Sequence, residues 1–446
     1  MLSFGGMMSH RPVRRLAAAF AAVAALALSA GASAFTPPQF PRLGGVEIGG
    51  QGNYNDPAYQ AELAKLSVMI LKYWPGLAPG GQSMNSIIGA IKAKNPNALV
   101  FFYTDSDAEP SLDSKAMSGL RDKIEAMHWW LRAGSGVVPS FYGHNEITIN
   151  NSPYTPKDSN GETSIDWIAR WYVSNYYTPN PALDGLFMDN VFPNPRVAGD
   201  WYGDGVALSP SDPKAAAALQ AGYERWFSLT HQLMPGKYQL GNIGSWVTGA
   251  PQVPAGYQGM VNGGVLEAII GKSYSAETWG GWRGMMKEYA TIMQVVSDPK
   301  LVIFNQWGDP KDYRSFRYGF AACLMNDGYY SFTSDSTGYY GVVWFDEYDA
   351  KLGFPSGAAP TAAWQHGVWR RDFGNGIALV NPKGNGPQTV MLETPFVKIQ
   401  GTQDPSANNG QTVTKVTLQD RDGIILLRKA PLEQPQPPTN VMEETD

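Results

Sequence analysis

The chain has 446 residues, 16% charged and 12% aromatic, with 49 Gly, 33 Pro, one Cys and a formal net charge of −5. That composition excludes a disordered chain, a collagen-like repeat, a disulfide-stapled scaffold and a Cys/His zinc module. The acidic balance gives no basic footprint for nucleic acid.

His10, Arg11, Arg14 and Arg15 precede an apolar run from Leu16 to Ala30, and Ala32-Ser33-Ala34 follows. A basic n-region, an apolar h-region and an A-x-A site predict a signal peptide over residues 1–34, cleaved near Ala34, and a secreted or periplasmic protein. A membrane anchor is the alternative, but the run falls short of the roughly 20 residues that span a bilayer. No stable membrane insertion is expected after cleavage. Nothing in the chain points to a protein partner.

Eight short apolar runs follow: Leu43–Ile48, Val68–Tyr73, Ala98–Tyr103, Gly185–Val191, Tyr238–Ile243, Gly264–Ile270, Leu301–Asn305 and Tyr329–Phe332. Amphipathic stretches near 57–66, 83–94, 111–133, 163–177, 212–234, 279–297 and 312–326 lie between them. Runs that are apolar throughout suit parallel strands buried on both faces. Eight of them with intervening helices, over residues 35–345, predict an α/β fold of the (β/α)8 TIM-barrel type. An open doubly wound sheet is the alternative, but no G-x-G-x-x-G follows the first run. Residues 145–160 read as a long surface loop. Cys323 reads as a small buried hydrophobe.

Past residue 345 a linker (346–359) leads to short β-like runs around the hairpin signal Gly374-Asn375-Gly376. A small antiparallel, sandwich-like β domain is predicted over 360–430, followed by a Pro-rich acidic tail, disordered, over 431–446.

In such a barrel the chemistry sits where strands end. Asp189 ends the fourth run, and Glu267 is an acid inside the otherwise apolar sixth. Burying an unpaired carboxylate is costly, so such a group is usually paired, protonated or functional. Two carboxylates across one mouth suit glycoside hydrolysis, with Asp189 as nucleophile and Glu267 as proton donor. The competing readings are a turn or helix cap for Asp189 and a buried ion pair for Glu267, with Lys72 as its partner. Glu47, Lys72, Tyr73, Tyr103, Asp105, Asn190, Asn242, Trp246, Gln306 and Trp307 also lie at or just after run ends and are the candidate substrate-binding residues. Sugar rings stack their C–H faces on aromatics while their hydroxyls meet amides and carboxylates. No H-E-x-x-H, G-x-S-x-G or Walker loop occurs, and the reading calls for neither metal nor cofactor.

At Asp184–Asn190 (D-G-L-F-M-D-N), Gly264–Glu267 (G-V-L-E), Trp344–Pro355 (W-F-D-E-Y-D-A-K-L-G-F-P) and Val368–Pro382 (V-W-R-R-D-F-G-N-G-I-A-L-V-N-P) the chain resembles exported bacterial glycoside-hydrolase-like barrels. These are the hypothetical glycosyl hydrolase families near the α-galactosidase superfamily and the endo-α-1,4-polygalactosaminidases. The resemblance implies a barrel whose acids on strands 4 and 6, here Asp189 and Glu267, serve as nucleophile and acid/base. That superfamily often carries Asp where this chain has Glu267, which leaves retention or inversion, and the assignment of the proton donor, open. The reading is an exported glycoside hydrolase acting on a polysaccharide or oligosaccharide, α-linked glycans among the options. A non-catalytic glycan-binding barrel and a polysaccharide-modifying enzyme, such as a metal-dependent deacetylase, are the alternatives.

Overall fold

The computed structural model describes residues 35–110, 115–143, 145–243 and 253–429. The predicted signal segment, the tail, His144 and Trp246 lie outside the described residues.

All eight apolar runs form strands: β1 (Gly44–Glu47), β2 (Val68–Leu71), β3 (Leu99–Thr104), β4 (Gly185–Met188), β5 (Tyr238–Gly241), β6 (Val265–Ile270), β7 (Ile303–Gly308) and β8 (Tyr329–Ser334). Neighbours pair in parallel, β1 through β5 in one sheet and β6 through β8 in a second. Single parallel bridges sit at the two seams, Leu240 to Gly263 and Leu43 to Tyr330. The first seam needs glycine: a Cβ on Gly264 would stand 2.1 Å from the carbonyl oxygen of Gly241, a clash no side chain could relieve.

Strand side chains alternate between two cores, as the period of two requires. Val46, Val68, Ile70, Leu99, Phe101, Phe187, Leu240, Val265, Ile303 and Tyr329 form an inner core fed by all eight strands. Met69, Leu71, Val100, Phe102, Leu186, Met188 and Phe304 face outward into the larger core shared with the helices. The runs look continuously apolar because both sets are buried.

The helices are α1 (Pro57–Leu63), α2 (Met84–Lys94), α3 (Ser118–Ala126), α4 (Ser164–Tyr172), α5 (Pro213–Leu233), α6 (Ala276–Val295) and α7 (Tyr313–Cys323). Their starts follow local chemistry. Asp56 and Asp212 cap α1 and α5, each followed by Pro at the first helical position, where its fixed φ and missing N–H cost nothing. Thr163 and Asp166 form a capping box on α4. Among the described residues no helix is long and apolar enough to cross a membrane. Cys323 is buried, as expected.

Beyond the eighth strand, β9 (Trp369–Phe373), β10 (Gly376–Asn381), β11 (Gln388–Lys398), β12 (Thr412–Leu418) and β13 (Asp422–Arg428) form one antiparallel sheet in the order β9-β10-β13-β11-β12. β11 is a single bent strand whose register against β12 slips between Met391 and Phe396. Pro395 lies in that slip, where a missing N–H is tolerated. The sandwich-like module is therefore one five-stranded sheet with a core of its own. It is bolted to α7 through Arg317, which pairs with Asp422 at 3.1 Å and with Asp404. A second clamp runs from Arg421 to Glu277 of α6 at 2.9 Å.

Candidate active site

Asp189 follows β4 directly and keeps the inward parity of Phe187. Its Oδ1 accepts from Asn242 Nδ2 and from the Asn190 N–H, both at 2.8 Å, and its Oδ2 accepts from the Tyr103 hydroxyl at 2.8 Å. Asn242 is itself fixed, because its Oδ1 takes the Val265 N–H at 2.9 Å. The carboxylate thus has one heavily bonded oxygen and one held only by a phenol.

Glu267 sits on β6, whose other residues are buried while its own side chain reaches the open mouth. It keeps the inward parity of Val265, and a bulge follows it. The β6–β7 register shifts between Leu266 and Ile270, and Ala268 adopts φ +46°. A left-handed alanine costs on the order of 1 kcal/mol and persists only where its surroundings insist. Asn305, fully buried, supplies that insistence. Its Oδ1 accepts the Ala268 N–H at 3.1 Å while its Nδ2 donates to Thr333 Oγ1 at 2.8 Å and Ser331 Oγ at 3.2 Å. Asn305→Leu strips the partner from three buried polar groups. We expect a loss of roughly 3 kcal/mol or more in chemical denaturation, with Glu267 misplaced in whatever folds.

The Glu267 carboxyl is pushed above the usual carboxylate range, first by desolvation and then by the charge of Asp189; a hydrogen bond from the Tyr339 hydroxyl opposes the shift. The Asp189 charge also acts on Tyr103, Asp105 and Asp107. Asp105 is driven well up by burial and by its neighbours Asp107 and Asp189, and Asp107 to about 6 by burial, with Arg196 opposing. Asn190, at φ +58°, turns its Nδ2 onto Asp105 Oδ2 at 2.8 Å and accepts from Tyr142 at 2.9 Å.

Lys72 lies with Nζ 4.2 Å above the Tyr103 ring. Trp307 packs edge-on against Tyr339, ring centroids 5.0 Å apart, with Lys272 Nζ 4.1 Å above it. Tyr274, on the loop after β6, and Trp279, in the first turn of α6, are exposed, the latter by 68%. Among the described residues no group of three or more His, Cys, Asp or Glu could hold a metal ion.

Lys72, Tyr103, Asp105, Asp189, Asn190, Asn242, Glu267 and Trp307 thus occupy one end of the strands. Three of the expected substrate ligands lie on or just after the same strands but point away from the mouth. Tyr73 faces outward and stacks on Phe102 at 4.5 Å in the helix-facing core. Gln306, fully buried, bonds Ser315 of α7 and the Tyr330 hydroxyl. Glu47 is buried between β1, α1 and the loop after β8. It accepts from Tyr59 at 2.9 Å and from the Gly341 N–H at 3.0 Å, with its carboxyl raised to about 7 by desolvation. Each has the wrong parity: Val46, Ile70 and Ile303 point inward, so the residues one or three places on point out.

Tyr339 was not foreseen. Glu47 holds Gly341, and the Gly49 N–H holds the Tyr339 carbonyl at 2.8 Å, so the same loop delivers the phenol to Glu267. Asp107 and Arg196 were likewise missed. The available signal was a pair of tyrosines, Tyr339-Tyr340, just after the eighth strand.

A family model described as hypothetical glycosyl hydrolase family 15 matches residues 92–377. Comparison with curated proteins gives no match. Among solved structures the chain is similar to the type III pullulan hydrolase from Thermococcus kodakarensis, at 11% identity over 87% of this chain and 75% of that one, with a TM-score of 0.48. The maltogenic amylase from S. marinus gives 7% identity, 83% and 60% coverage and 0.46. The endo-β-1,4-mannanase from Thermotoga petrophila gives 11% identity, 86% and 92% coverage and 0.36. None of these likenesses says which residues act.

Proposed function

Because the chain belongs to hypothetical glycosyl hydrolase family 15, we propose that it is an exported glycoside hydrolase cleaving a polysaccharide or oligosaccharide through Asp189 and Glu267. The observation that carries the reading is the inward pair at one mouth, with the Glu267 proton affinity raised in part by the Asp189 charge. Titratable groups whose environments drive them apart supply an acid and a nucleophile or base at one pH.

Asp189 Oδ2, restrained only by Tyr103, attacks the anomeric carbon as the bond to the leaving oxygen breaks, and Glu267 delivers its proton to that oxygen. Glu267, now a carboxylate, takes a proton from water. The water oxygen bonds to the anomeric carbon and Asp189 leaves. Asn242 and the Asn190 N–H hold Oδ1 in place, while Lys72, Trp307 and the exposed Tyr274 and Trp279 line the approach.

The same reading takes the two seam bridges and the shared inner core as the closure of a (β/α)8 barrel, followed by a separate C-terminal β domain. It takes residues 1–34 as the export signal of a secreted or periplasmic enzyme. A panel of glycans with product analysis tests it. Release of new reducing ends from at least one glycan is expected, and glycan binding without cleavage across the panel would reassign the chain as a binding protein.

Tyr339→Phe removes the hydrogen bond that holds the Glu267 carboxyl down. The acid then keeps its proton to higher pH. The alkaline limb of kcat/KM, which falls as the proton donor ionises, is expected to move upward in a pH–rate series.

A further inference from the structure

On the flank of the molecule a groove of about 1230 Å³ runs between α6, the segment 358–363 and the first hairpin of the C-terminal sheet. Trp282 and Met286 lie one turn apart along α6, and so do Arg283 and Lys287 beside them; all four line the groove. Trp369 of β9 forms the opposite wall, its ring 5.5 Å from that of Trp282. Trp282 is 7% exposed and backs the groove. Arg283, Lys287 and Lys383 are exposed and make no ion pair among the described residues. The carboxylate in the groove, Asp327, is already held by Arg371 at 2.5 Å. The groove is therefore cationic in a chain whose net charge is −5.

We propose that this groove binds an anionic polysaccharide, a chain rich in uronic acid, separately from the mouth. Regularly spaced carboxylates meet the three unpaired cations. Pyranose C–H faces meet the half-buried Trp369 and Met286. From Trp282 to Gln294 the helix rises about 18 Å, which favours a polymer over a single sugar. An acidic protein segment would satisfy the cations but make no use of the tryptophan wall. The proposal rests on the reading of this chain as a glycan-processing protein, and it adds a site that holds the polymer while the mouth cuts.

The test uses the full chain carrying Asp189→Asn, so that the probe is not degraded, and titrates it with polygalacturonate at low ionic strength. Saturable binding is expected. The triple change Arg283→Glu, Lys287→Glu, Lys383→Glu weakens it at least about tenfold. On the wild-type background the triple change leaves turnover of a small glycoside unaltered. No binding of polygalacturonate, binding indifferent to the triple change, or equal binding of polyglutamate each overturns the proposal. So does loss of small-glycoside turnover in the triple variant. If Asp189→Asn keeps wild-type turnover while polygalacturonate still binds through the groove, the catalytic reading fails and this one stands.

Discussion

Asp189→Asn is expected to lower glycan hydrolysis by at least about three orders of magnitude while leaving the melting temperature within a few degrees of wild type. The swap is nearly isosteric and its neighbours can accommodate it. The Asn oxygen can keep the bonds from Asn242 and the Asn190 N–H, while its amide nitrogen turns to the Tyr103 hydroxyl, which can rotate to accept. What disappears is the oxygen that attacks the anomeric carbon. Calorimetry alongside reducing-end assays separates the two effects. Turnover at the wild-type rate would remove Asp189 from the mechanism, whereas joint loss of folding and turnover would make it a structural residue.

Glu267→Gln is expected to show a dependence on the leaving group. Natural glycans, whose leaving oxygen needs a proton, lose about 10²–10⁴ in rate. Aryl glycosides with acidic phenols lose far less in the bond-breaking step. In the wild type, burial and the Asp189 charge raise the Glu267 carboxyl, so the proton-donating form persists above the range of an ordinary glutamate and activity falls only as pH rises through the raised value. The glutamine variant has no such group to titrate, and its alkaline limb is expected to vanish. Equal losses on both substrate types, with the limb intact, would assign the proton to another acid.

Much of this architecture was legible because the chain repeats one device. Each parallel strand is buried on both faces and so announces itself as an apolar run, and the eight runs appear in order as β1 to β8. Asp189 and Glu267 were legible as acids breaking that pattern. The misplaced ligands share one cause. A run that is apolar on both faces hides its own parity, so Lys72 and Tyr73 looked equivalent, as did Asn305 and Gln306. Only one of each pair points inward. Counting by twos from an inner-core residue such as Ile70 or Ile303 separates them. The bulge at Ala268 left no such trace, because alanine carries no preference for a positive φ. Tyr339 lay 72 residues from the acid it touches, on a loop marked only by the Tyr339-Tyr340 pair.

The interaction between the Asp189 charge and the Glu267 carboxyl can be tested before any substrate is known. The side-chain carboxyl of Glu267 is followed by carbon-13 NMR through a pH titration, in the wild type and in Asp189→Asn. Glu267 is expected to titrate above an ordinary glutamate in the wild type, and its midpoint to fall when the Asp189 charge is removed. A Glu267 that titrates as a free glutamate and ignores the state of residue 189 would contradict it.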